Sequence, residues 1–268
     1  MTEEPTAALT AAAFGADPGR WPLPAATTGH QRWLRAVTAG GQGRYAVATA
    51  ELAELLRDTP SGPLASLALS TWGSFLRQLG DHRGARGLDG RALVLASDGQ
   101  EVDPEAGADA LVGLAADALG IGRFAASAAL LARAAKLPEA APVRLGVRRH
   151  WVTAELAMVT GDGATAVRNA EQALELTSAG TVRHRVKSQV VLAGALCCAG
   201  NLDRARTVAQ EALADTGRLG LIPLRWALAC MLVDVTSTAH TVEELAGVRG
   251  EAAELVRRRG GHWPGDQR

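Results

Sequence analysis

Along most of the chain, apolar residues recur with the spacing of one face of an α-helix, and polar residues fill the positions between them. In the stretch Thr71 to Ala96, TWGSFLRQLGDHRGARGLDGRALVLA, two such segments flank the pair Gly80-Asp81. Glycine accepts the left-handed conformation that ends a helix, and aspartate caps the helix that follows. The stretch therefore predicts two antiparallel helices joined by a tight turn. No strictly alternating run predicts a strand.

A break of glycine followed by a polar residue recurs at Gly43-Arg44, Gly80-Asp81, Gly122-Arg123, Gly161-Asp162 and Gly200-Asn201. The intervals between these breaks are 37, 42, 39 and 39 residues, which indicates an internal repeat. We predict five helical hairpins, at 28–41 with 44–58, 63–79 with 82–97, 104–120 with 123–136, 142–160 with 163–177, and 181–199 with 202–217. The prolines between positions 60 and 223 fall at junctions or first helical turns, where a missing N–H is tolerated.

The two ends of the chain depart from this repeat. A sixth hairpin, 221–235 with 241–259, has no glycine between its helices, but Thr241 and Glu244 have the spacing of a capping box. We expect this hairpin to cap the array and residues 261–268 to form a mobile tail. Residues 1–27 hold four of the eleven prolines, so we expect a flexible tail or a loosely docked lead-in without a packed helix, in which Ala7 to Phe14 could form one frayed turn. The alternative is a short partner-binding motif around Phe14 and Trp21.

Small residues recur at fixed distances from each break. If the break glycine is position 15 of a repeat, position 8 holds Ala36, Gly73, Ala115, Ala154 and Ala193; position 20 holds Ala48, Ala85, Ser127, Ala166 and Ala205; and position 27 holds Leu55, Ala92, Ala134, Ala173 and Ala212. Fourteen of these fifteen residues are Ala, Gly or Ser. Two helices that cross at roughly 8 to 10 Å tolerate only small side chains at the contact.

In these positions the chain resembles the tetratricopeptide repeat (TPR) family, although its period averages about 39 residues rather than about 34. The resemblance implies an all-α fold, a right-handed α-α superhelical solenoid of about six TPR-like helical hairpins over residues 28–260. The pattern also resembles the looser repeats in the sensor arms of large bacterial transcription activators.

Composition and charge argue against several classes of function, including charge-driven binding to nucleic acid or membranes. The chain is 47% hydrophobic and only 4% aromatic, and its 28 acidic and 28 basic residues give no net charge. We therefore expect no direct binding to nucleic acid or membrane driven by overall charge. The N-terminus lacks a basic segment and no window is apolar enough for a membrane span, so a cytoplasmic protein is expected. Cys197, Cys198 and Cys230 lack zinc or disulfide spacing and are expected to be reduced core or groove residues.

The sequence contains no motif that assembles a catalytic or metal site. The six histidines are scattered, without an HExxH motif or a His/Cys cluster, and no serine lies in a G-x-S-x-G elbow. We therefore predict no catalytic residues, no metal ligands and no cofactor.

Candidate binding residues lie on the first helix of each repeat, which lines the concave face of such a solenoid. Position 5 carries tryptophan in three repeats, at Trp33, Trp151 and Trp226, either as core residues or as interface anchors. Arg148, Arg183 and Lys187 form the charged part of the candidate site, beside Arg144.

A structural alternative exists for the basic residues, because acids lie one period before two of them. Glu105 would pair with Arg144 and Asp109 with Arg148, which leaves Arg183 and Lys187 without acidic partners. In that case an anion-binding patch remains at Arg183 and Lys187, suited to acidic side chains or a phosphate.

The function that this pattern predicts is a non-enzymatic TPR-like scaffold or adaptor that binds a protein or peptide partner, one carrying acidic groups, in its concave groove. Two alternatives remain: a ligand-sensing regulatory arm that acts with a separate transcription factor, and an enzyme whose residues converge only in space.

Overall fold

The computed structural model describes residues 4–97, 102–137, 142–177 and 180–263. Within these ranges the protein is all-α, with thirteen helices and no sheet; Ser97 and Val102 form one isolated bridge. None of these helices is long and apolar enough to cross a membrane. The expected all-α class is confirmed.

Twelve of the helices form six antiparallel pairs whose ends agree with the predicted hairpins to within a few residues. The first helix of each pair is α2 (Gly29–Gly41), α4 (Gly62–Gln78), α6 (Pro104–Gly120), α8 (Val143–Val159), α10 (Val182–Cys198) or α12 (Ile222–Asp234). The second is α3 (Tyr45–Asp58), α5 (His82–Leu95), α7 (Phe124–Ala134), α9 (Gly163–Leu176), α11 (Leu202–Leu219) or α13 (Val242–Arg258). Each first helix contacts the first helix of the next pair. We call these six first helices the inner helices.

The turns within the pairs have the predicted geometry. All five break glycines have positive φ angles, from 73° at Gly43 to 90° at Gly80. Asp81 caps α5 by accepting a hydrogen bond from the Gly84 N–H, and Thr241 with Glu244 forms the predicted capping box. In the sixth pair, which lacks the glycine, Thr236 takes the left-handed conformation with a φ of 55°.

The small residues of the repeat lie where the helices cross. All fifteen residues at positions 8, 20 and 27 are buried, including Ala154 and Ala166, which share one core cluster. Leucines and valines from neighbouring helices complete these clusters, as Leu192 and Leu196 do beside Ala154. The repeat alignment therefore predicted the helix contacts correctly.

The structure corrects the expectation for residues 1–27. Residues Pro5–Phe14 form a ten-residue helix, α1, whose Ala8, Leu9, Ala12 and Ala13 are buried. The prolines do not prevent this helix, because Pro5 occupies its first turn and the others follow its end. Helix α1 packs against α2 and also contacts α10.

The first and last pairs also meet. The Ala46 N–H donates to the Arg259 carbonyl at 2.9 Å, and Arg259 Nη1 donates to the Gln42 carbonyl at 2.8 Å. Gly261 is buried and Trp263 packs against the core cluster that contains α1 and α2. The expected mobile tail is therefore wrong for residues 261–263, while residues 264–268 lie outside the described part, as does Pro138.

Candidate functional site

The inner helices surround one cavity of about 420 Å³. Apart from Phe14 of α1 and His82 at the start of α5, every described residue that lines it belongs to an inner helix. All six residues predicted as binding residues are in the lining: Trp33, Arg148, Trp151, Arg183, Lys187 and Trp226. This volume is within the range of about 300 to 1,000 Å³ that is typical of small-molecule sites.

Aromatic rings form a continuous part of the wall. Phe14 lies 5.4 Å from the Trp33 ring and 6.0 Å from His184, measured between ring centroids. His184 stacks on Trp151 with centroids 5.5 Å apart and an interplanar angle of 18°. The Trp33 indole N–H donates to Thr71 at 2.9 Å, so this ring is fixed in its orientation.

The three predicted tryptophans differ in exposure. Trp33 is only 3% exposed and belongs to the core, whereas Trp151 and Trp226 are half-buried. The Trp151 indole N–H donates to Ser188 Oγ at 2.8 Å, and Trp226 lies 5.3 Å from the Trp263 ring. Core packing therefore describes Trp33 well, while the other two keep part of their surface open.

Two of the cavity arginines have acidic partners, as the repeat spacing predicted. Arg144 lies 2.6 Å from a Glu105 oxygen and 3.1 Å from an Asp109 oxygen, and Arg148 pairs with Asp109. The Arg144 guanidinium also lies 5.1 Å from the centre of the Phe14 ring. These pairs connect α6 to α8 and hold both guanidinium groups against the cavity wall.

The remaining two predicted cations behave differently from each other. Lys187 Nζ lies 3.3 Å from Glu155 Oε1, so the expectation that Lys187 lacks an acidic partner is wrong. Arg183 is half-buried and, among the residues that the structure describes, has no carboxylate within ion-pair distance. Its Nε has no hydrogen-bond partner there, and its Nη2 makes one long hydrogen bond, 3.4 Å, to the Ala13 carbonyl.

Burial and charge shift the ionisation of these groups. Burial, together with the nearby Arg77 charge, lowers the pKa of Arg148 to about 10. Burial and the Arg144 charge lower the pKa of Arg183 to about 10. Burial, with the neighbouring arginine charges, brings the pKa of His184 well below its ordinary value. At neutral pH the arginines therefore stay charged and His184 is neutral.

A second ion-pair group lies at the cavity wall, which its arginine, Arg77, also lines. Arg77 pairs with Asp89 and lies 3.0 Å from Asp117, and both carboxylates are fully buried. Burial raises the pKa of Asp89 to about 7 and raises that of Asp117 as well, while Arg77 opposes both shifts. This group joins α4, α5 and α6 and was not singled out from the sequence.

A smaller cavity of about 270 Å³ adjoins the first. Phe14, Trp33 and Arg144 line both spaces, and Glu105 and Thr181 are among the residues that line the smaller one. Phe14 therefore lies between the two cavities. The contribution of Phe14 to the central cavity was missed because α1 was not expected.

The described residues contain no group of three or more His, Cys, Asp or Glu side chains that could hold a metal. The three cysteines are free; Cys197 and Cys230 are half-buried. Cys198 is exposed, which corrects its placement in the core or groove.

A scan against protein-family models and a search of curated protein sequences find no significant match to this chain.

Proposed function

We propose that this chain is a non-enzymatic binding protein of TPR-like architecture, a right-handed solenoid whose inner helices hold a ligand in the central cavity. One observation carries this proposal: residues from six helical pairs, with flat aromatic walls and an unpaired cation, converge on one cavity of about 420 Å³. Concave, mostly apolar sites with a few polar groups are the usual form of a ligand site.

The cavity favours a ligand of small-molecule size over an extended peptide. Helix α1 covers part of the inner-helix surface, because Phe14 lies against Trp33 and His184. An extended peptide would need this same surface. Of the interpretations drawn from the sequence, the ligand-sensing regulatory arm acting with a separate partner, such as a transcription factor, is therefore the better supported.

A ligand at this position would contact inner helices from several pairs at once. It would stabilise the arrangement of those helices in which the cavity is best formed, and a partner bound elsewhere would respond to the same equilibrium. This link between ligand and partner is what a sensing arm requires.

The scaffold that binds a protein or peptide is the second candidate. It is favoured by Trp151 and Trp226, whose indole rings keep exposed surface, because such rings are frequent anchors of protein interfaces.

Native mass spectrometry of the protein purified from its own cell tests the proposal. We expect a bound small molecule that is released on denaturation. A stable protein partner with an empty cavity would support the scaffold instead. Turnover of the bound molecule, abolished by a single substitution in the cavity wall, would contradict both and indicate an enzyme.

A further inference from the structure

Among the described residues around the central cavity, one cation has no carboxylate partner. The five described cations of the cavity are Arg77, Arg144, Arg148, Arg183 and Lys187. Glu105 and Asp109 balance Arg144 and Arg148, and Glu155 balances Lys187.

Arg77 also has acidic partners, because the two buried carboxylates Asp89 and Asp117 both pair with it. Among the described residues that line the cavity, the cation without a carboxylate partner is therefore Arg183.

The environment of Arg183 is unfavourable for a cation that has no partner. Its Nε is buried without a hydrogen-bond acceptor among the described residues, and the Arg144 charge acts against it. A buried polar or charged group left unpaired costs free energy. The side chain packs closely against α2, since a Cβ built on Gly41 would lie 2.8 Å from its Cδ. An unpaired donor at a cavity wall is expected where a ligand supplies the acceptor.

We propose that the cavity binds a small monocarboxylate with a flat apolar body, and that Arg183 receives its carboxylate. The inference rests on the proposed function, since it names the class of ligand for the same cavity. The guanidinium presents parallel N–H donors that match two carboxylate oxygens. A phosphate dianion would bring two negative charges to the one described cavity cation that has no carboxylate partner.

The aromatic wall accounts for the body of the ligand. Trp151 and Phe14 keep part of their ring surfaces open, while His184 and Trp33, which pack against them, are buried. His184 is neutral at physiological pH, so it adds no second positive charge beside Arg183. A planar ring therefore has the open parts of Trp151 and Phe14 to lie against, in the same cavity that Arg183 lines.

The test uses naphthoate and its neutral counterpart naphthamide, with binding measured by isothermal titration calorimetry. We expect the wild-type protein to bind naphthoate at least tenfold more tightly than naphthamide, and more tightly than inorganic phosphate. Arg183→Gln should remove the preference for naphthoate, and Arg183→Lys should keep only part of it, because an ammonium lacks the parallel donors.

Arg185→Gln is the matched control. Arg185 lies two residues further along α10, is exposed and pairs with Asp215, and does not line the cavity. This variant should bind naphthoate as the wild type does. Arg183→Gln should also unfold at the same or a higher temperature than the wild type, since it removes an unpaired charge. Naphthoate should raise the unfolding temperature of the wild type and of Arg185→Gln, but not that of Arg183→Gln.

Equal binding of naphthoate and naphthamide, or undiminished naphthoate binding by Arg183→Gln, would overturn the inference while leaving the cavity proposal intact. Tighter binding of phosphate, or no binding of naphthoate, would overturn it too. Failure of the proposed function would be seen separately, as a protein partner without a bound small molecule after native purification.

Discussion

At the scale of single residues, two glycines make room for a buried carboxylate. A Cβ built on Gly113 would lie 2.4 Å from Asp89 Oδ1, and one on Gly73 would lie 2.7 Å from Oδ2. Asp89 in turn meets Arg77, which also binds Asp117. Small residues at these positions therefore allow a polar group to join neighbouring pairs, in addition to close helix packing.

Gly113→Ala should destabilise the protein by about 1 to 3 kcal/mol, because the methyl group displaces Asp89 in a closely packed interior. Gly87→Ala is the control: Gly87 is an exposed residue of α5 with open space around it, where alanine favours the helix by about 0.5 to 1 kcal/mol. Urea denaturation measures both. Equal effects of the two substitutions would contradict the packing of Asp89.

The ionisation of Asp89 predicts a pH dependence. Because its pKa is raised to about 7, the folded protein keeps a proton that the unfolded chain releases near about pH 4. The contribution of Asp89 to the free energy of unfolding is therefore largest below about pH 4. It decreases by up to about 1.4 kcal/mol per pH unit as the pH rises towards about 7. Asparagine cannot ionise, so Asp89→Asn should lack this loss of stability. The free energy of unfolding of the variant minus that of the wild type should therefore increase from about pH 4 to about pH 7. A difference independent of pH would argue against the raised pKa.

At the scale of helices, position within the repeat decides which alanines are essential. Ala154 and Ala166 are completely buried where α8 and α9 cross, whereas Ala164 on α9 is exposed. Ala154→Leu and Ala166→Leu should each cost about 1 to 3 kcal/mol through overpacking, and Ala164→Leu should have little effect. Thermal unfolding of the three variants checks this. If the buried pair tolerates leucine as well as Ala164 does, the repeat register is wrong.

Helix α1 gives a second test at this scale. Leu9 is fully buried, so Leu9→Ala should cost about 2 to 5 kcal/mol, while Thr10→Ala on the exposed side should be nearly neutral. Chemical denaturation of both variants provides the measurement. A flexible N-terminal segment would instead make Leu9→Ala as harmless as Thr10→Ala.

At the scale of the whole molecule, the sequence predicts the repeated parts and misses the unique ones. The glycines between paired helices and the alanines where helices cross both recur, so the ends of α2 to α13 could be predicted. The Glu105–Arg144 pair could also be predicted, because its residues are one period of 39 residues apart. Lys187 and Glu155 are 32 residues apart, which is not the period, so this pair was missed.

The closing contacts could not be predicted for a related reason. Helix α1 is rich in alanine and has almost no polar face, which removes the amphipathic pattern by which the other helices are recognised. The hydrogen bond between Arg259 and Gln42 joins residues 217 positions apart, and nothing local in either segment indicates it. Contacts made once, between distant segments, leave no periodic signal.

In the proposed binding site, inner helices from different pairs contact the same ligand. Trp151 and Trp226 line the cavity from the fourth and sixth pairs, and Trp21 is an exposed tryptophan outside the lining. The most direct measurement is native mass spectrometry of the wild type, Trp151→Leu, Trp226→Leu and Trp21→Leu, each purified from the native cell. We predict that the first two substitutions each reduce the amount of bound small molecule, while Trp21→Leu retains the wild-type amount. Equal occupancy in all four proteins, or a loss confined to Trp21→Leu, would contradict this arrangement.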